Sequence, residues 1–162
     1  MTYLAFKVIH VFGVVLFLGN IIVTGVWKIL ADRTGDPRTI AYAQRLVTLT
    51  DWIFTAGGVV LILIGAYGMV LTAGLDPLGP AWLIWGQGLF IASGIVWAAI
   101  LIPTQIAQAR EARGFAEGGV IPDNCGIIPD NYWRLGRLWA IWGTVATLLP
   151  LANLYFMVVK PA

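Results

Sequence analysis

Residues 8–27 read VIHVFGVVLFLGNIIVTGVW, a run without a single carboxylate, lysine or arginine. A helix needs roughly 20 mainly apolar residues to cross about 30 Å of hydrocarbon, so this run is long enough to be a membrane span. Three more stretches share its character: Trp52 to Leu75, the charge-free segment Pro77 to Ala109, and Leu138 to Val159. Strands of a membrane barrel alternate in polarity over about 10 residues, whereas these runs are far longer and apolar all round. The expected fold is therefore all-α, an integral membrane four-helix bundle. It forms one transmembrane domain over residues 1–162, with spans at 4–27, 52–74, 82–106 and 136–158.

Composition agrees. Of 162 residues, 59% are hydrophobic and 11% charged, and the mean hydropathy is +0.85. A water-soluble domain of this size lacks the polar residues to cover such a surface, so the partner implied is a lipid bilayer. The net charge of +2 is small and its residues lie in the flanks of the spans, which gives no signature of nucleic-acid binding. One cysteine, Cys125, excludes an internal disulfide and a multi-cysteine metal site. The early apolar run lacks a small-residue cleavage site and reads as a retained first span.

Lysine and arginine set the expected orientation, because basic residues near span ends stay on the cytoplasmic side. Lys28, Arg33, Arg38 and Arg45 follow span one. Arg110, Arg113, Arg134 and Arg137 surround the last connection, while the middle connection holds only Asp76. Both termini are thus expected in the periplasm, with the chain in a bacterial inner membrane. The cytoplasmic connections read as helix extensions. Gly35 ends one helix, Asp36 caps the next and Pro37 suits its first turn. From Pro37 to Gly74 a continuous helix would measure about 57 Å at 1.5 Å per residue, so part of it must project from the bilayer. The third helix is expected to pass Pro103 with a kink and to stop at Gly114. The stretch from Gly114 to Asn131 carries the doubled tetrapeptide IPDN around Cys125 and reads as two Pro-Asp turns, with Asp130 capping the fourth helix.

Candidate chemistry centres on His10, the one histidine, placed inside the first span. Lys7, His10, Gly13, Phe17, Asn20, Thr24 and Trp27 recur at helical spacing and form a stripe expected to face the bundle. Counting inward from the same surface brings Gly65, Gly68, Met69 and Tyr67 of span two to the depth of His10. Gln87 and Gly88 of span three, and Pro150 and Asn153 of span four, reach it too. Two readings of this group stand. In one, His10 is an axial ligand of haem b, the glycines (Gly13, Gly65, Gly68) leave room for a flat macrocycle, Lys7 meets a propionate and Met69 is a candidate second ligand. In the other, His10 is hydrogen-bonded to Gln87, Asn153 or a backbone carbonyl and only stabilises the bundle. Further along, Asn20, Thr24, Thr55, Ser93, Thr104, Gln105, Arg137 and Thr144 form an inner-leaflet polar set expected to be mostly interhelical hydrogen bonds. Mid-span carboxylates are absent, which excludes a pump built on a carboxylate relay. Metalloprotease, phosphate-loop and Ser-x-x-Lys patterns are absent as well, so catalytic residues remain unassigned.

Lys7-Val-Ile-His10, then Leu18-Gly19-Asn20 and Trp27-Lys28, together with Met157-Val-Val-Lys160-Pro161, resemble a family of bacterial predicted integral membrane proteins of unknown function. That family is similar in turn to HemJ-type protoporphyrinogen oxidases and to copper-resistance D proteins, both built on four-helix units. The resemblance to the oxidases implies haem b on a first-span histidine in a Lys-x-x-His setting, here Lys7 and His10. Their Pro-Arg-Leu-Phe-Val-Tyr-His stretch is replaced by Val26-Trp27-Lys28-Ile29-Leu30, so the resemblance carries haem ligation and not the oxidase reaction. The function expected is a haem b-binding membrane protein with a redox or haem-related role. The alternatives are an accessory or assembly subunit of a homo-oligomer or larger membrane complex, and copper handling by His10 and Met69.

Overall fold

The computed structural model describes residues 2–117 and 128–161. Within them the chain forms four long helices and no strand: α1 (Tyr3–Thr34), α2 (Pro37–Thr72), α3 (Ala81–Ala116) and α4 (Asp130–Val159). All four are long and apolar enough to cross a bilayer. The outward faces carry Val8, Val11, Phe12 and Val15 of α1, and Ile141, Leu148 and Tyr155 of α4, fully or half exposed. Apolar side chains on a helix exterior are stable only against lipid. The protein is a multi-pass integral membrane protein in contact with the bilayer.

The turn between α1 and α2 forms as its residues dictate. Gly35 takes φ 66°, the left-handed conformation that closes a helix, and Asp36 accepts from the amides of Arg38 and Thr39 with Pro37 in the first turn. The Thr39 hydroxyl also donates to Asp36. Two sequence expectations fail at the other connection. α3 runs through Gly114 rather than stopping there, because a glycine in a solvated last turn costs only about 1 kcal/mol. Asp130 is the first residue of α4 and caps nothing; Pro129 holds the N-cap position without a side-chain bond. Cys125 and the first IPDN tetrapeptide lie outside the described residues.

α1 lies against α2 along most of its length, and the first half of α3 lies against α4, so the membrane portion is two helical hairpins. Between them contact is sparse. The hairpins join at the end that carries the connections, where Pro37–Thr50 packs on Ile102–Glu117. There Ile40, Ala112, Ile128 and Tyr132 form a closed core, with Phe115 and Trp133 packed against it. At 1.5 Å per residue the 36 residues of α2 span about 54 Å, so this core stands beyond the hydrocarbon.

Both long middle helices carry a π segment where the joined end gives way to the open cleft: Asp51–Ala56 in α2 and Trp97–Leu101 in α3. The second comes just before Pro103, whose missing amide and ring clash disturb the preceding turn. Asp51–Ala56 has no proline to explain it, and no sequence signal marked it.

Candidate functional site

The cleft between the hairpins holds two cavities. Phe17 of α1 and Phe90 of α3, ring centroids 6.0 Å apart, line both and separate them.

The first cavity, about 590 Å³, lies toward the end bearing both termini. Its wall is mostly aliphatic and aromatic, with functional groups from Tyr3, Lys7, His10, Tyr67, Met69, Gln87, Asn153, Met157 and Lys160. Of the residues placed at one depth by counting along the helices, His10, Tyr67, Met69, Gln87, Pro150 and Asn153, drawn from all four helices, border one space, while Gly65, Gly68 and Gly88 do not. Gly88 shares that depth but faces outward, since the 3.6-residue period turns it away from Gln87.

His10 Nδ1 lies 2.9 Å from the carbonyl oxygen of Ile62 on α2. A carbonyl only accepts, so Nδ1 carries a proton, and in the neutral ring Nε2 is the nitrogen with the lone pair. Among the described residues no group bonds to Nε2. Tyr67 donates to Gln87 Oε1 at 3.1 Å, while the Gln87 amide donates to the carbonyls of Pro77 and Leu83, which fixes that side chain on the wall. Asn153 Oδ1 is buried without a hydrogen-bond partner among the described residues. Lys160 sits with Nζ 4.9 Å from the Trp82 ring centre, and with Lys7 it lines the cavity from two helix ends.

The glycines do something else. A Cβ on Gly65 would stand 2.5 to 2.6 Å from the backbone of His10, and one on Gly13 would stand 2.8 Å from the Ile62 nitrogen. Gly68 is filled by the Phe6 ring. All three sit at the α1–α2 contact and none borders the cavity, so their role is close approach of two helices, which brings the Ile62 carbonyl within reach of His10. The slot expected of them is not there. On the opposite hairpin Gly86 plays the same part against Met157 and Asn153.

The second cavity, about 480 Å³, lies between the first and the joined end. It meets two polar clusters that sequence reasoning did not assemble. Asp51 Oδ1 accepts from Asn20 Nδ2 at 2.9 Å and from Thr55 Oγ1 at 3.0 Å. Lys28 Nζ donates to Asp32 Oδ2 at 2.9 Å and to the Tyr132 hydroxyl at 3.1 Å, and that hydroxyl donates to Asp32 Oδ1 at 2.6 Å. The available signal was spacing: Lys28 continues the stripe Phe17, Asn20, Thr24 by one more turn, with Asp32 four residues on. Of the inner-leaflet set, Asn20 bonds across to Thr55, and Ser93 donates to the Ala146 carbonyl at 2.8 Å. Gln105 offers its backbone carbonyl to Gln44. Thr24, Thr104 and Thr144 bond within their own helices instead, an i−4 habit of helical hydroxyls. Among the described residues no cluster of three His, Cys, Asp or Glu side chains is placed to hold a metal ion.

Two helical hairpins with cavities between them, all four helices long and apolar enough to cross a bilayer, define a multi-pass integral membrane protein. The chain belongs to the family described as "Predicted integral membrane protein (DUF2269)", whose model matches residues 4–161. No curated protein and no solved structure matches it.

Proposed function

We propose that the protein binds haem b in the first cavity, with His10 Nε2 as axial ligand, and serves a redox or haem-related role in the membrane. The observation that carries this is the state of His10. Its Nδ1–H is held by the Ile62 carbonyl at 2.9 Å while the ring borders a cavity of about 590 Å³. Metal-ligating histidines are characteristically pinned this way at the other nitrogen, which fixes tautomer and ring orientation. The volume lies in the roughly 300–1,000 Å³ range of cofactor sites. The donor set suits the group: imidazole and the Met69 thioether for iron, apolar walls for the macrocycle, and Lys7 and Lys160 to meet two propionates. Bound there, haem would supply one-electron chemistry. The chain's own part is to fix the orientation of the imidazole, exclude water and screen the propionates.

The distribution of lysine and arginine supports placing the connections in the cytoplasm and both termini in the periplasm of a bacterial inner membrane. The haem cavity would then open near the periplasmic face.

Absorption of the detergent-purified protein tests the reading. The wild type should show a Soret band that shifts on reduction, and His10→Ala should lose it. A wild type that remains colourless after reconstitution with hemin rules the haem out, and a stoichiometric co-purifying partner would then favour an accessory subunit. A metal assay on the same sample decides copper.

A further inference from the structure

The second cavity plays no part in the reading of His10. Its walls are apolar and aromatic, with Phe17, Phe90, Trp97 and Trp139 among them. Ile29 and Leu148, 50% and 58% exposed, also border it, so it opens sideways onto the lipid-facing surface. The core around Tyr132 closes the joined end. Both π segments converge here: Asp51 begins one and Trp97 the other, and the Trp52 and Trp97 rings meet edge-on at 6.2 Å. Such segments concentrate at functional sites, since the extra residue in the turn re-aims the side chains around it.

Charge decides what fits. One cation, Lys28, stands among two carboxylates, Asp32 and Asp51, so an anionic fatty acid or phospholipid head finds no net attraction. A permanent cation would meet one uncompensated carboxylate among the described residues, Asp51, bonded by the neutral donors Asn20 and Thr55, since Asp32 is paired with Lys28 and bonded by Tyr132. A neutral, flat, largely apolar ligand reached from lipid suits the aromatic walls and would use both the Lys28 donor and the Asp51 acceptor, which a simple cation would not. Lys28 has three N–H groups and uses two, leaving a donor for a carbonyl oxygen. Asp51 is an acceptor for a hydroxyl.

We propose that this cavity binds an isoprenoid quinone, its ring against Trp97 and Trp139, with Lys28 meeting the carbonyl of the oxidised form and Asp51 the hydroxyl of the reduced form. The site stands whether or not haem occupies the first cavity.

Tryptophan fluorescence of the purified full-length protein, titrated with a decyl-substituted benzoquinone, tests it. Saturable quenching at micromolar quinone is expected. Gly143 and Gly94 border the cavity with nothing within 4 Å of an added Cβ, so a side chain at either starts in open space and Gly143→Phe is the filling variant. With helicity unchanged by circular dichroism, Gly143→Phe should weaken binding at least tenfold, as should Lys28→Met. If Gly143→Phe does not fold, Gly94→Leu takes its place. The proposal is overturned by non-saturating quenching of the wild type, or by a folded plugged variant that binds like wild type. It is equally overturned if decanoate or decyltrimethylammonium displaces the probe as well as a second quinone does.

Discussion

Lys28 is 2% exposed, although by sequence it follows the last residue of the first apolar run. Its ammonium is closed into a ring with Asp32 and the Tyr132 hydroxyl, and lies 5.1 Å and 5.6 Å from the Tyr132 and Trp139 ring centres. Removing one partner of a buried pair strands the other, so Lys28→Met should destabilise the protein by about 3 kcal/mol. Adding Asp32→Asn, which keeps an acceptor for Tyr132, should restore most of that; unfolding in mixed detergent micelles measures both. A double variant no more stable than the single one would mean that Lys28 acts through packing alone. Asp36 shows a different residue-scale effect. The Thr39 hydroxyl, and after it the Thr39 amide, hold its carboxyl below the ordinary value of 3.8. A depressed folded-state value means that the cap is intact above pH 3.8 and weakens only as pH falls through the lower folded value. A carbon-detected NMR titration should place the Asp36 midpoint under 3.8.

At the scale of elements, the spacing of α1 from α2 rests on glycines, and not all glycines are alike. A Cβ at Gly65 collides with the backbone of His10, which cannot swing aside as a side-chain tip can. Gly65→Ala should therefore part the helices at a cost of about 1–3 kcal/mol and lengthen the His10–Ile62 bond. Gly88 meets nothing within 4 Å, so Gly88→Ala should be neutral or stabilising by up to about 1 kcal/mol. Comparing the two variants by unfolding checks the assignment, and equal effects would contradict it. The sequence grouped Gly13 with His10 by helical spacing and Gly65 and Gly68 with it by depth. It misassigned their purpose, because depth along a helix says nothing of which neighbour a face meets.

On the scale of the whole molecule, two hairpins joined at one end leave a divided cleft at the other. The proposed orientation is tested with single cysteines on a Cys125→Ser background. Leu78 is 73% exposed in the turn between α2 and α3, and Thr39 is exposed at the start of α2. Leu78→Cys should react with a membrane-impermeant maleimide in spheroplasts, and Thr39→Cys only after lysis. The reverse pattern would invert the topology and place the His10 cavity near the cytoplasm.

The class was legible before any coordinates. Long charge-free runs leave only lipid as a stable surrounding, and Gly35-Asp36-Pro37 encodes its own turn through local dihedral and capping preferences. His10 stood out because a single ionisable ring in such a run demands a partner. What the sequence could not contain was the identity of that partner, the carbonyl of Ile62, 52 residues away. Nor did it reveal the burial of Lys28 or the π turn at Asp51. These follow from which helix face meets which, and that is settled by packing between elements distant in the chain, where one residue's environment depends on all the others at once.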